Sequence, residues 1–139
     1  MIVVTGISGG IGYEFTKLLL RSDLLHQLEQ KVVGVFNRNE PNFEADEANL
    51  ILVKADITKI EDVNKVAEAA RSGNDRIIIL HFAACSIDGL VASYNVDDLS
   101  QTIDVNIKGN FLITQSLLQD MIRSKWGRII HFSSHAGIE

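Results

Sequence analysis

Short runs of consecutive apolar residues alternate along this chain with stretches where apolar residues recur every three or four positions. Ile2–Thr5 is β-branched and ends at glycine, as suits a strand buried on both faces. Val32–Phe36, Leu50–Val53, Ile77–Phe82 and Arg128–Ser133 read as four further strands. Between them the period changes to that of a helix. From Tyr13 to about Leu28, Phe15, Leu18, Leu19, Leu25 and Leu28 share one helical face. Thr58, with Glu61 three residues on, predicts a capping box that opens a helix through Val63, Val66, Ala67 and Ala70 to Ser72-Gly73. A long helix from Val96 to about Lys125 is expected to turn Leu99, Ile103, Ile107, Phe111 and Leu118 inward. The polar stretch Asn37–Asn49 holds Pro41, the only proline, and reads as a loop with at most a short helix.

Continuous apolar strands alternating with helices imply an α/β fold, with a parallel sheet covered on both faces. Right-handed crossovers leave few arrangements of that order, and a doubly wound, Rossmann-like sheet of order 3-2-1-4-5 is expected. The 139 residues have room for one core and not for two ordinary domains, so residues 1–139 read as one unit. No internal repeat or linker interrupts it.

A net charge of −5 argues against nucleic acid or an anionic membrane as the main partner, since both need a Lys/Arg excess. The single cysteine, Cys85, excludes an internal disulfide or a multi-cysteine metal site. No apolar run approaches the ~20 residues of a membrane span, and no basic segment precedes Ile2–Thr5 as in a secretory signal. A soluble, cytoplasmic protein is expected.

The chemistry concentrates in Thr5-Gly6-Ile7-Ser8-Gly9-Gly10-Ile11-Gly12, after a strand and at the start of a helix. Glycines there allow positive φ and let backbone approach a pyrophosphate, while the helix N-terminus offers free N–H groups and a partial positive charge.

The spacing of Gly6, Gly10 and Gly12 after Thr5 resembles that of the short-chain dehydrogenases/reductases, and Asp104–Gly109 and Gly127–Ser134 resemble more closely their single-domain members of the 3-oxoacyl-reductase kind. The resemblance runs over essentially the whole chain. Lys54-Ala-Asp56-Ile57-Thr58 looks like the family's adenine-contacting segment, with Asp56 as its acid. Asp104-Val-Asn106-Ile-Lys-Gly109 looks like its mid-helix Asn motif. Gly127-Arg-Ile-Ile-His-Phe-Ser-Ser134-His-Ala-Gly137 looks like the strand carrying its catalytic Ser.

That resemblance implies a nicotinamide cofactor held by Thr5, Gly6, Ser8, Gly9, Gly10, Ile11, Gly12, Asn37, Arg38, Asp56, Ile57, Ala83, Ala84 and Cys85. An acid at the end of the second strand repels a 2′-phosphate and a base accommodates it. Here the strand ends Val35-Phe36-Asn37-Arg38, which favours NADP(H) over NAD(H), with Ser8 beside the phosphate. By the same resemblance Ser134 holds the oxygen of a small carbonyl or alcohol substrate, and Asn106 links the active-site Lys to solvent through a water. The Tyr-x-x-x-Lys pair that supplies the proton belongs about a dozen residues beyond Ser134, and Glu139 is the last residue. Family members are nearly twice this length. The chain therefore reads as the N-terminal part of an NADP(H)-dependent oxidoreductase, not competent alone. The resemblance further implies a fifth strand left as a sheet edge, apolar surface on the long helix, and a homo-oligomer when the protein is complete.

Where the family has Asn-Asn-Ala-Gly after the fourth strand, this chain has Phe82-Ala83-Ala84-Cys85. His81-Phe-Ala-Ala84 and Gly6, Gly9, Gly12 also fit the extended branch, which includes nucleotide-sugar epimerases and dehydratases. That reading, and a nucleotide-binding protein without turnover, stand as alternatives. Cys85 reads as a small buried hydrophobe, and His81 and His131 as satisfied core histidines. Asp23, His26 and Glu29 read as a solvated helix end without metal spacing.

Overall fold

A computed structural model describes residues 1–43, 47–73 and 76–134. His135-Ala-Gly137, the tail of the expected serine motif, lies outside the described residues. The strands are β1 (Ile2–Thr5), β2 (Val32–Phe36), β3 (Leu50–Lys54), β4 (Ile77–His81) and β5 (Gly127–His131). They form one parallel sheet of order β3-β2-β1-β4-β5, as expected for a Rossmann-like fold. β1 and β2 are buried along their whole length.

Two apolar layers flank the sheet. Val3, Val33, Val35, Ile77 and Ile79 pack with helices α3 (Ile60–Arg71) and α5 (Asn110–Ser124) on one face. On the other, Ile2, Val4, Val32 and Leu80 meet Leu19 and Leu25 from α1 (Gly10–Arg21) and α2 (Leu24–Gln27). Alternating residues of each strand thus serve opposite layers. No helix of the described residues is long and apolar enough to cross a membrane.

Several local expectations are corrected. The helix predicted from Tyr13 to Leu28 is two, because Ser22 is extended and its hydroxyl donates to the Leu19 carbonyl at 2.7 Å. Leu18 and Leu28 consequently face solvent. Thr58 is not the cap of α3. Its N–H and hydroxyl both donate to Asp56 Oδ1, and Asp62 takes the Asp56 N–H at 3.0 Å.

The inward face of the long helix is also reversed. Leu99, Ile103, Ile107, Phe111 and Leu118 are exposed, while Gly109, Ile113, Leu117 and Met121 face the sheet. The helix runs as α4 (Val96–Ile103), a π-helical segment at Asp104–Gly109, and then α5. It carries apolar residues on two faces, and helical period alone does not say which meets the sheet. Gly109 decides it, since a Cβ there would come within 2.6 Å of Ile57 Cγ1. β5 is a sheet edge with Ile129 and Ile130 partly open, as expected.

Candidate functional site

The parallel strands all end at one rim, and the segments after β1, β2, β3 and β4 enclose a cleft of about 420 Å³ there. The order reverses at β1, whose neighbours are β2 and β4, and such a switch point is where open α/β sheets bind ligands. Gly6, Ser8 and Gly9 form its floor. The β2 tip contributes Asn37, Arg38 and Asn39, and the β3 end Ala55, Asp56 and Ile57. Phe82, Ala83, Ala84 and Cys85 follow β4, and Gln101 and Val105 close the cleft from the long helix.

The floor is tight for a reason legible in the backbone. Gly6 has φ +73°, and a Cβ there would lie 2.6 Å from the Ala83 nitrogen. Ala83 cannot give way freely, because its N–H donates to Thr5 Oγ1 at 3.1 Å. The Gly6 and Ile7 N–H groups both donate to the Val35 carbonyl. Gly9 precedes α1 with no side chain capping it, and the first turn of α1 carries no acid. The positive end of that helix is therefore left for an anion.

Asp56 is held rather than free to swing. Thr58 Oγ1 donates to its Oδ1 at 2.7 Å, and Lys59 Nζ lies 3.8 Å from Oδ2. At the opposite end, Asn106 lies in the π-helical segment and uses its whole amide on one residue. Its Nδ2 donates to the Cys85 carbonyl at 2.7 Å, and its Oδ1 accepts the Cys85 N–H at 2.8 Å.

The cleft gathers Gly6, Ser8, Gly9, Asn37, Arg38, Asp56, Ile57, Ala83, Ala84 and Cys85, the greater part of the expected cofactor set. Thr5, Gly10, Ile11 and Gly12 are not on its wall; Thr5 is buried behind it and Ile11 points to solvent. Ser134 and Asn106 do not line it either. Ser134 is exposed, three residues past the end of β5.

Cys85 is half-buried on the wall, not a core hydrophobe, because Asn106 fixes its backbone at the rim. His131 is exposed, correcting its reading as a core residue, since it sits on the uncovered edge strand. Its ring stacks on that of His81 with centroids 4.4 Å apart. His81 is buried, and its Nε2 meets Thr114 Oγ1 at 3.0 Å. Burial, and secondly the electrostatic influence of the adjacent His131 ring, push the His81 pKa down to about 4.

Sequence reasoning missed the aromatic side of the site. Phe82 lines the cleft and stacks on Phe132 at 3.9 Å, with Phe15 5.4 Å away. Phe82 and Phe132 follow directly on His81 and His131, the last paired residues of β4 and β5, so strand alternation was the available signal. The expectation that the Tyr-x-x-x-Lys pair lies wholly beyond Ser134 overlooks one such spacing within the chain, Tyr13 and Lys17 on α1. Tyr13 stacks on Phe43 and its hydroxyl donates to the Asn42 carbonyl at 3.0 Å, away from the cleft wall. It pins the loop after β2 and is not the expected proton-donating pair.

The family model for short chain dehydrogenases matches residues 1–139. The chain belongs to the short-chain dehydrogenase family. A 3-oxoacyl-[acyl-carrier-protein] reductase of Rickettsia typhi is 29% identical over 98% of the chain and 54% of its own length. An uncharacterised oxidoreductase of Listeria monocytogenes is 32% identical over 100% of the chain and 56% of its own length. Among solved structures, ElxO with NADP bound superposes with a TM-score of 0.83 at 23% identity, over 99% of the chain and 56% of ElxO. This short-chain dehydrogenase chain thus spans little more than half the length of the relatives it matches.

Proposed function

We propose that residues 1–139 form one NAD(P)-binding unit, the N-terminal part of an NADP(H)-dependent oxidoreductase that interconverts a small carbonyl compound and its alcohol. The observation that carries the cofactor choice is the tip of β2. Asn37, Arg38 and Asn39 line the cleft there, across from Ser8, and none is an acid. A guanidinium in that place pairs with a 2′-phosphate, which a carboxylate would repel. ElxO, of the same fold, holding NADP is in keeping with this choice.

The residues present fit the group. The close approach at Gly6 leaves a floor without side chains, and the uncapped start of α1 suits a pyrophosphate. Ser8, Gly9 and that helix end hold the phosphates, Asp56 and Ile57 the adenosine, and Ala83 to Cys85 the far ribose. When bound, the cofactor supplies or accepts the hydride at the carbonyl carbon. Ser134 donates its hydroxyl proton as a hydrogen bond to the substrate oxygen and holds the carbonyl in place. Asn106, its side chain engaged by Cys85, acts by keeping the cleft wall in position. The exposed stripe of Leu99, Ile103, Ile107 and Phe111 is the surface through which a second copy would pack.

The test is fluorescence titration of the full chain with NADPH and NADH. NADPH is expected to bind at least tenfold more tightly, a difference of about 1.4 kcal/mol. Arg38→Glu should abolish or invert the preference. Equal affinity for both cofactors in the unmodified chain overturns the choice of NADP(H).

A further inference from the structure

The loop that follows β2 is held at both ends and open between them. Its near end is fixed by the sheet, where Phe36 is buried and its carbonyl accepts the Ala55 N–H at 2.8 Å. Residues 37–40 are exposed, and Arg38 stands among them on the cleft wall. The chain is buried again at Pro41 and Phe43. Proline fixes its own φ and keeps the residue before it extended, so the far leg of this arch is stiff. A bond made at Asn42 is therefore felt back along the chain towards Arg38. That bond comes from α1. The Tyr13 hydroxyl donates to the Asn42 carbonyl at 3.0 Å, and its ring stacks on Phe43 with centroids 4.9 Å apart. Burial of Phe43 accounts for the stack, which a phenylalanine at position 13 would keep; only the hydroxyl fixes the backbone of the arch. The Tyr13 N–H in turn donates to the carbonyl of Gly9 on the cleft floor. The helix start that faces the cleft and the side chain that holds the arch thus belong to one turn.

We propose that Tyr13 is a positioning residue for cofactor choice: its hydroxyl closes the arch after β2 and holds Arg38 where a 2′-phosphate would lie. The two places that meet phosphate, the start of α1 and Arg38, are then set against each other by one side chain of that helix. A guanidinium on an arch tied at both ends loses less freedom on pairing than one on an open loop. The effect on cofactor choice rests on the NADP(H) reading given above; the hold on the arch does not.

The test is Tyr13→Phe, which keeps the stack and removes the hydroxyl. Fluorescence titration of the full chain gives its affinities for NADPH and NADH. Limited trypsin digestion under native conditions gives the rate of cutting after Arg38, which rises as the arch opens. The preference for NADPH is expected to fall about threefold or more, a change that one partly exposed hydrogen bond can supply, with NADH affinity kept within about twofold. Cutting after Arg38 should speed by about threefold or more. On an Arg38→Ala background, Tyr13→Phe should change NADPH affinity by less than about twofold, because Tyr13 acts through Arg38. An unchanged preference, equal losses for NADPH and NADH, or a loss that persists in full without Arg38 overturns the proposal. If the unmodified chain shows no preference between the cofactors, it is the NADP(H) reading that fails. Trypsin then still decides whether the hydroxyl holds the arch, and in either case unchanged cutting after Arg38 overturns that role.

Discussion

The glycine-rich turn supports a graded prediction, because its residues differ in both φ and surroundings. Gly9 is extended, and a Cβ there meets nothing within 4 Å. Gly10 has φ +57° with open space, and Gly6 has φ +73° with backbone of Phe82 and Ala83 at 2.6 to 2.8 Å. Gly9→Ala should leave stability unchanged or raise it by about 0.5 kcal/mol, through a less flexible unfolded chain. Gly10→Ala carries only the left-handed penalty, about 1 kcal/mol. Gly6→Ala adds to that penalty an overlap with backbone tied down by Thr5, for a total of about 3 kcal/mol. Against a typical stability of about 5–15 kcal/mol that is a large fraction. Urea unfolding followed by circular dichroism, with the slope of each transition checked for constancy, measures the series. Gly9 lines the cleft, so Gly9→Ala should still weaken NADPH binding about tenfold despite its intact stability. Gly6→Ala falling within about 0.5 kcal/mol of Gly10→Ala would refute the claim that Ala83 forms a rigid wall against Gly6.

His81 gives stability a pH dependence of known sign. Its folded pKa of about 4 lies below the ordinary value of 6.5, so the unfolded chain binds the extra proton first. The stabilisation is complete above pH 6.5 and is lost as pH falls towards 4, by up to about 3 kcal/mol. Subtracting the profile of His81→Asn from that of the unmodified chain isolates this share, and parallel profiles would count against a neutral buried ring. Arg71 joins α3 to α5, with Nε 2.9 Å from Asp120 Oδ2 and Nη2 2.8 Å from the Ser116 carbonyl. Its side chain is about half exposed, so Arg71→Ala should cost only about 1 kcal/mol in urea unfolding, less at high salt.

What was legible in the sequence is what depends on neighbours in the chain. The run Ile2–Thr5 followed by closely spaced glycines places a strand, a turn and a helix start through local sterics alone. The β2 tip, the Asp56 segment and the residues after β4 follow strands strong enough to recognise, and a parallel sheet brings all those ends to one rim. The phase of the long helix was not legible. Its two apolar stripes are equally regular, and the choice depends on Gly109 meeting Ile57, some fifty residues earlier. The same limit applies to the start of α3. Thr58 and Glu61 satisfy the spacing of a capping box, yet Asp56 and Asp62 take the hydrogen bonds because the turn after β3 presents Asp56 first.

The segment after β4 shows how one altered motif changes several contacts together. β4 and β5 pair in register up to His81 and His131, and the next residues on each strand are Phe82 and Phe132. Alternation therefore sends the two histidines towards the α5 face and the two phenylalanines towards the α1 face, where Phe82 approaches Phe15. An asparagine at position 82 would offer hydrogen bonds at the cleft; the phenylalanine offers a stacked ring and none. The polar work of holding the segment then falls to groups reaching it from behind, and Asn106 clamps both backbone atoms of Cys85. The β5 members of both stacked pairs are exposed, so whatever covers β5 also covers one side of each stack. Covering that edge should bury His131 and close the open side of its stack on His81.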